Sequence, residues 1–286
     1  MKRNDTKVIK TDPVYKLDQF FTKADIAVQC VKEVGSLYPL DQFDLIIEPS
    51  AGTGSFFKAL PAKNKLAIEI DPDLCDVNPD YLCQSFFDYK PDHTGKILVI
   101  GNPPFGTQNK LSVDFFNHAA SFADVIAFII PKTWNKQSIH NRLHKKFALV
   151  KVVDLPEECF YGDKDTNVKC CFQIWKRGET DRVKEEKCIT HKDWKFLPYV
   201  KTKNDLFPPD KADFVVLAYG SNPGQVSDDL YQWRPKSVHF IQSKIGKKKL
   251  MERFAALDYS CANNSARQSS LCKGDLVRLY TERYGV

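Results

Sequence analysis

The chain has 286 residues, of which 43% are hydrophobic and 27% charged; that is enough apolar matter for a buried core and excludes a disordered chain. No apolar run approaches the ~20 residues that a membrane span needs, and the polar residues 1–10 lack the apolar stretch of a secretory signal. The net charge of +6 is uneven: residues 1–178 hold 23 Lys+Arg against 22 Asp+Glu, and residues 179–286 hold 19 against 14, a basic C-terminal third compatible with a polyanionic partner.

Nine cysteines are scattered along the chain without a C-x-x-C pair. A zinc site or other metal centre therefore has no support in the spacing. The odd count, with no disulfide-like spacing, fits a reducing intracellular setting.

In chain order, residues 1–16 read as a loose lead-in. A helix is expected over 23–37, with Thr22 as N-cap, Asp25 resembling a capping box, and Ile26, Val28, Val31 and Val34 as its apolar stripe. A buried strand over 43–47 runs straight into Glu48–Pro49–Ser50–Ala51–Gly52–Thr53–Gly54–Ser55–Phe56, and a helix over 55–60 follows. Strand, glycine-rich turn and helix together let backbone N–H groups approach a ligand closely. No Gly-Lys-Ser/Thr closes the turn, so it is not a phosphate loop, and its spacing is not the dinucleotide G-x-G-x-x-G. The acidic opening residue would repel a phosphate and suits a cationic or hydroxyl-bearing ligand.

The second strand, over 65–70, carries an acid at its tip about 20 residues beyond the glycine turn, placed to accept from ribose hydroxyls. Glu69 fits best, with Asp71 second. A short third strand and turn cover 81–89. The apolar run 96–100 then ends abruptly in Gly101–Asn102–Pro103–Pro104–Phe105–Gly106, because proline has no N–H to donate and fixes φ. The Asn102 side-chain oxygen and the Pro103 carbonyl are both acceptors. Converging, they can hold the two hydrogens of an exocyclic amino group and draw its lone pair out of conjugation, while Phe105 offers a face to a planar ring.

A helix is expected over 112–122, a strand over 124–130 stopped by Pro131, and a helix over 140–148. Strands over 149–155 and 168–175 lie too close for a crossover helix and form an antiparallel hairpin. Alternating strands and helices imply a parallel sheet with right-handed crossovers. Residues 177–181 read as a linker. Beyond it come strands over 194–200, 214–219 and 238–241, a turn over 220–224 and helices over 250–257 and 269–280, a small α+β module.

Taken together, the glycine turn and the Asn-Pro-Pro-Phe turn resemble those of the S-adenosylmethionine-dependent amino-methyltransferases. The order of motifs is most similar to that of the adenine-specific DNA methyltransferases whose recognition domain follows the catalytic one, and the match covers about residues 19–175. The resemblance implies a Rossmann-like α/β fold, with a seven-stranded methyltransferase sheet ending in an antiparallel hairpin and a small C-terminal α+β module. It implies a catalytic domain over 1–178 and a target-recognition module over 179–286. It also implies S-adenosyl-L-methionine as cofactor and DNA as partner. Phe21 and Thr22 would sit over the cofactor's methionine end, and Glu48, Ser50, Gly52 and Gly54 would form its turn. Glu69 would hold the ribose and Ile70 would pack on the cofactor's adenine. The family's Asp-Phe pair after the third strand is here Ser85–Phe86, with Asp88 as a substitute acid. Asn102, Pro103 and Phe105 would hold the target base, flanked by residues 160–167. Candidates for nucleic-acid contacts in the C-terminal module are Lys244, Lys247, Lys248, Lys249, Arg267 and the turn 221–225. RNA adenine and protein glutamine present the same planar amino group and are the alternative acceptors; a non-enzymatic scaffold is the remaining alternative.

Overall fold

The structure, a computed structural model, describes residues 20–61, 63–92, 95–161, 168–184, 186 and 188–285. The lead-in 1–16 and positions 162–167 of the expected base-flanking loop lie outside the described residues.

The chain divides into two compact units, one of residues 1–131 and 141–183, the other of 132–140 and 184–286. In the first, strand β1 (Phe21–Thr22) leads into helix α1 (Ala24–Leu37). Then follow β2 (Leu45–Glu48), α2 (Ser55–Ala59), β3 (Lys65–Glu69), α3 (Pro72–Asp76), β4 (Tyr81–Cys83), β5 (Ile97–Gly101), α4 (Lys110–Ala119) and β6 (Val125–Pro131). Helix α5 (Gln137–His140) falls in the second unit, and β7 (Phe147–Asp154), β8 (Phe160–Tyr161) and β9 (Cys170–Arg177) complete the first.

Seven of these strands form one sheet in the order β4-β3-β2-β5-β6-β9-β7. The first five are parallel, and β9 runs antiparallel to both β6 and β7. This is the α/β architecture expected from the sequence, hairpin included. The central strands β5 and β6 are buried along their whole length, which is why they read as unbroken apolar runs: a parallel sheet covered on both faces leaves no polar alternation. Among the described residues strand β7 pairs with β9 alone; after the buried Phe147 it alternates exposed with half-buried residues, as a strand at the margin does.

Three local expectations are corrected. Thr22 is not the N-cap of α1: it is spent in β1, paired with Phe160, and the cap residue is Lys23, whose side chain makes no capping bond among the described residues. The helix expected over 140–148 is absent there; α5 ends at His140, and Phe147 and Ala148 belong to β7, held in register with Arg177 and Lys176. Pairing with β9 overrides the local helical preference of that stretch. Residues 177–181 are not a free linker. Arg177 closes β9, with Nε on the Ala123 carbonyl and a second nitrogen on Ala120, and Gly178 N donates to Lys146 O.

The second unit carries β10 (Trp194–Leu197), β11 (Val200–Lys201), β12 (Leu206–Phe207), β13 (Phe214–Leu217), β14 (Val226–Ser227) and β15 (Val238–Ser243). Helices α6 (Lys247–Ala255) and α7 (Lys273–Tyr284) follow. An antiparallel sheet, β10-β15-β13-β14, shares a core with them that includes Trp194, Phe214, Leu250, Phe254, Leu276 and Tyr280. At the margin of that core the Asp193 carboxylate accepts from the Tyr280 hydroxyl at 2.8 Å and from the half-buried Arg253 at 3.3 Å. No described helix is long and apolar enough to cross a membrane.

Candidate active site at the strand tips

β2 and β5 are adjacent and parallel, with Ile47 opposite Val99. Their C-terminal ends therefore bring the glycine turn beside Asn102, although the two lie far apart in sequence. Side chains of the turn and of its neighbours lock it in place. Ser50 Oγ donates to the Asn102 carbonyl at 3.1 Å, joining the two turns directly. The Gly52 N–H donates to Glu69 Oε2 at 2.7 Å, and Ser55 Oγ donates to the Thr22 carbonyl at 2.6 Å.

Both glycines of the turn are required by geometry. Gly52 (φ +53°) lies beneath Phe21, whose ring carbon would stand 3.1 Å from a β-carbon there. Gly54 (φ +77°) faces Tyr81, whose hydroxyl would be 2.1 Å from such a carbon. Left-handed φ and close approach both select glycine.

The two acids at the strand tips are engaged by the backbone. Glu48, 2% exposed, accepts the Phe57 N–H at 2.7 Å. Burial pushes its pKa up to about 8; the Phe57 and Phe56 N–H groups pull it down, the nearby Glu69 adds to the rise and Lys58 opposes it. Glu69, besides Gly52, accepts from the Ile70 and Asp71 N–H groups at 2.8 and 2.9 Å. Its first task is thus to clamp the turn; three of its four lone-pair sites are taken, two of them on Oε1, which leaves one on Oε2 for a ligand hydroxyl. Ile70 stands 49% exposed at the strand tip, an apolar surface beside the turn. Ser85 caps the short turn of helix at 86–88 by accepting the Phe87 N–H. Phe86 is 2% exposed and packs on Phe115 and His118, while Asp88 is exposed.

Asn102 is held by the chain just before β1: its Nδ2 donates to the Phe20 carbonyl at 2.7 Å. That bond fixes the amide's orientation and leaves Oδ1 enclosed, with no hydrogen-bond partner among the described residues. Pro103 is buried beside it. Phe105 does not offer the open face expected of it. It is 6% exposed, with Phe20 stacked on it at 5.4 Å and 25° and Phe160 edge-on at 6.3 Å. The pairing of β1 with β8 brings those two rings together.

Sequence reasoning missed two participants, Phe20 and Tyr81, and placed Phe160 only as the first residue of the base-flanking stretch 160–167. Tyr81 and Phe160 reach the site through strand pairing between distant segments, with Phe20 just ahead of β1, and neither Phe20 nor Tyr81 carries a spacing signal. Among the described residues no group of His, Cys, Asp and Glu is arranged to hold a metal ion.

No family model and no curated protein matches the chain. Among solved structures it is similar to the 23S rRNA methyltransferase ErmE, with 15% identity over 58% of this chain and 73% of that one and a TM-score of 0.41. It is also similar to the M. jannaschii tRNA m1G37 methyltransferase (17% identity, 54% of this chain and 47% of that one, TM-score 0.40). A third is an S-adenosylmethionine-dependent methyltransferase from Clostridium acetobutylicum (12% identity, 58% and 96%, TM-score 0.39).

Proposed function

We propose that the chain is an enzyme that transfers a methyl group from S-adenosylmethionine to the exocyclic 6-amino group of adenine in DNA. The observation that carries this reading is the state of the Asn102 amide. One end is tied to Phe20, and the other is an enclosed acceptor with nothing bonded to it among the described residues, next to a turn built for close backbone approach. An enclosed acceptor without a donor is costly, and an amino group supplies the donor. Asn102 Oδ1 and the Pro103 carbonyl would take its two hydrogens, keeping the nitrogen lone pair out of the ring and aimed at an electrophile.

When bound, the cofactor supplies that electrophile, a methyl on a sulfonium. The residues present fit it: the Gly52–Gly54 turn beneath, Glu69 for the ribose, the exposed Ile70 for the adenine, and Phe21 and Thr22 at the other end, with Glu48 and Ser50 fixing the turn. Ser85, Phe86 and Asp88 border the adenine end, Phe86 from within the packing. A methylated amine loses its extra proton readily, so positioning and water exclusion carry the catalysis. Phe105 clamps the acceptor ring once Phe20 rotates off it.

Residues 1–178 are assigned the chemistry and 179–286 the recognition of the polyanion, inside the cell. A base in a duplex has to be extruded at a cost of a few kcal/mol, on the order of what phosphate contacts return. RNA adenine is the second reading, because the basic region suits either polyanion; protein glutamine suits it less.

Transfer of a tritiated methyl group to DNA, RNA and protein fractions tests the acceptor. Asn102→Ala is expected to bind S-adenosylmethionine as the wild type does and to transfer no methyl group; a fully active purified variant would overturn the mechanism.

A further inference from the structure

Two enclosed polar atoms that lack a partner among the described residues border the glycine turn, Asn102 Oδ1 and Tyr81 Oη. The proposed chemistry uses the first and leaves the second unexplained. Tyr81 opens β4 opposite Ala67 of β3, which is itself opposite Glu48 of β2. Residues paired across neighbouring strands project to the same face, so Tyr81 and Glu48 share one. The ring stands edge-on to Phe57 at 5.9 Å and 81°. The hydroxyl ends against Gly54, filling the space that any side chain there would need.

A packing role is served by the ring alone; phenylalanine would do it without enclosing an unbonded hydroxyl. Burial, with Glu48 and Glu69 nearby, pushes the phenol up to about 12, so it stays protonated and acts as a donor. The Glu69 carboxylate beside it disfavours an anion as its acceptor. A neutral oxygen suits the spot.

We infer that Tyr81 is a binding residue of the glycine-turn site, donating its phenolic proton to a neutral hydroxyl oxygen of a nucleoside-type ligand, next to the hydroxyl that Glu69 accepts from. The inference rests on the function proposed above, and it names a contact that the family resemblance does not.

Calorimetric titration of the full chain and of Tyr81→Phe with S-adenosylmethionine, adenosine and 2′,3′-dideoxyadenosine tests it, together with thermal melts without ligand. Tyr81→Phe is expected to weaken the first two ligands about 3- to 10-fold, the range for loss of one neutral hydrogen bond. It should leave the dideoxy compound unaffected and the unliganded melting temperature unchanged or raised. Equal affinity of both proteins for S-adenosylmethionine would overturn the inference and leave the proposed function standing. So would an equal loss towards the dideoxy compound, which marks a structural effect. A lowered melting temperature would show that the hydroxyl has an internal partner, and it too would overturn the inference alone. Failure of the wild type to bind either S-adenosylmethionine or adenosine would sink both proposals.

Discussion

At Glu48 a single carboxyl couples stability to pH. Its native pKa of about 8 lies above the ordinary 4.5, so the folded chain holds this proton more tightly than the unfolded one. The stability it contributes is fully present below about pH 4.5, falls as pH rises and is gone above about pH 8. Because the side chain is 2% exposed, the effect is on the order of a few kcal/mol. Urea unfolding near pH 5 and near pH 8 should show wild-type stability dropping across that interval and Glu48→Gln losing most of the drop, since the amide oxygen still accepts from Phe57 N. A second residue-scale prediction concerns Gly54. Alanine there takes on a left-handed strain of about 1–2 kcal/mol and meets the Tyr81 hydroxyl. Gly54→Ala should lower the melting temperature, and adding Tyr81→Phe should restore part of the loss; strictly additive effects in this double-mutant cycle would refute the contact.

The element that most departs from its local pattern is β7. Phe147 is fully buried against Phe116 at 5.5 Å, with the Arg177 guanidinium 4.9 Å from its ring, whereas Val150 and Val152 are 43% and 40% exposed. Phe147→Ala is expected to cost about 3–5 kcal/mol in denaturant unfolding, while Val152→Ala changes stability by only about 0.5 kcal/mol. A helix over the same residues would not separate them in this way. The β1–β8 pair matters at the same scale. Two residues from each strand and the Lys23 N–H to Cys159 carbonyl bond at 3.1 Å hold Phe20 and Phe160 against the Asn102–Phe105 turn, so a two-residue ladder orients the amide on which the proposed chemistry depends.

On the scale of the whole molecule, charge and chemistry are segregated. The residues proposed for methyl transfer all belong to the sheet domain, and the surplus of Lys and Arg lies beyond residue 178. If that surplus meets nucleic acid, affinity falls linearly with salt on logarithmic axes. Exposed Lys247, Lys248 and Lys249 open α6; Lys247 has an ion pair with Asp228 at 3.5 Å. Replacing all three with Gln is expected to weaken DNA binding evenly across sequences and to flatten the salt dependence by about 2–3 in slope, read by fluorescence anisotropy over a salt series. An unchanged slope would place the contacts elsewhere.

What the amino-acid sequence determines by itself is whatever is local. Runs such as Ile97–Gly101 are apolar throughout because both faces of the sheet are covered. The glycines and prolines after β2 and β5 end those strands by φ preference and missing donors, which made both turns, the hairpin and the sheet class readable. Only the tertiary structure decides what each side chain meets at the strand tips: Glu69 on Gly52, Phe20 on Asn102 and Phe105, Tyr81 on Gly54. It also decides that 147–148 is strand, because a partner strand supplies the hydrogen bonds that a helix would have made internally. Such pairings join residues tens of positions apart, and a linear pattern carries no record of which distant segment a parallel crossover or a two-residue ladder brings alongside.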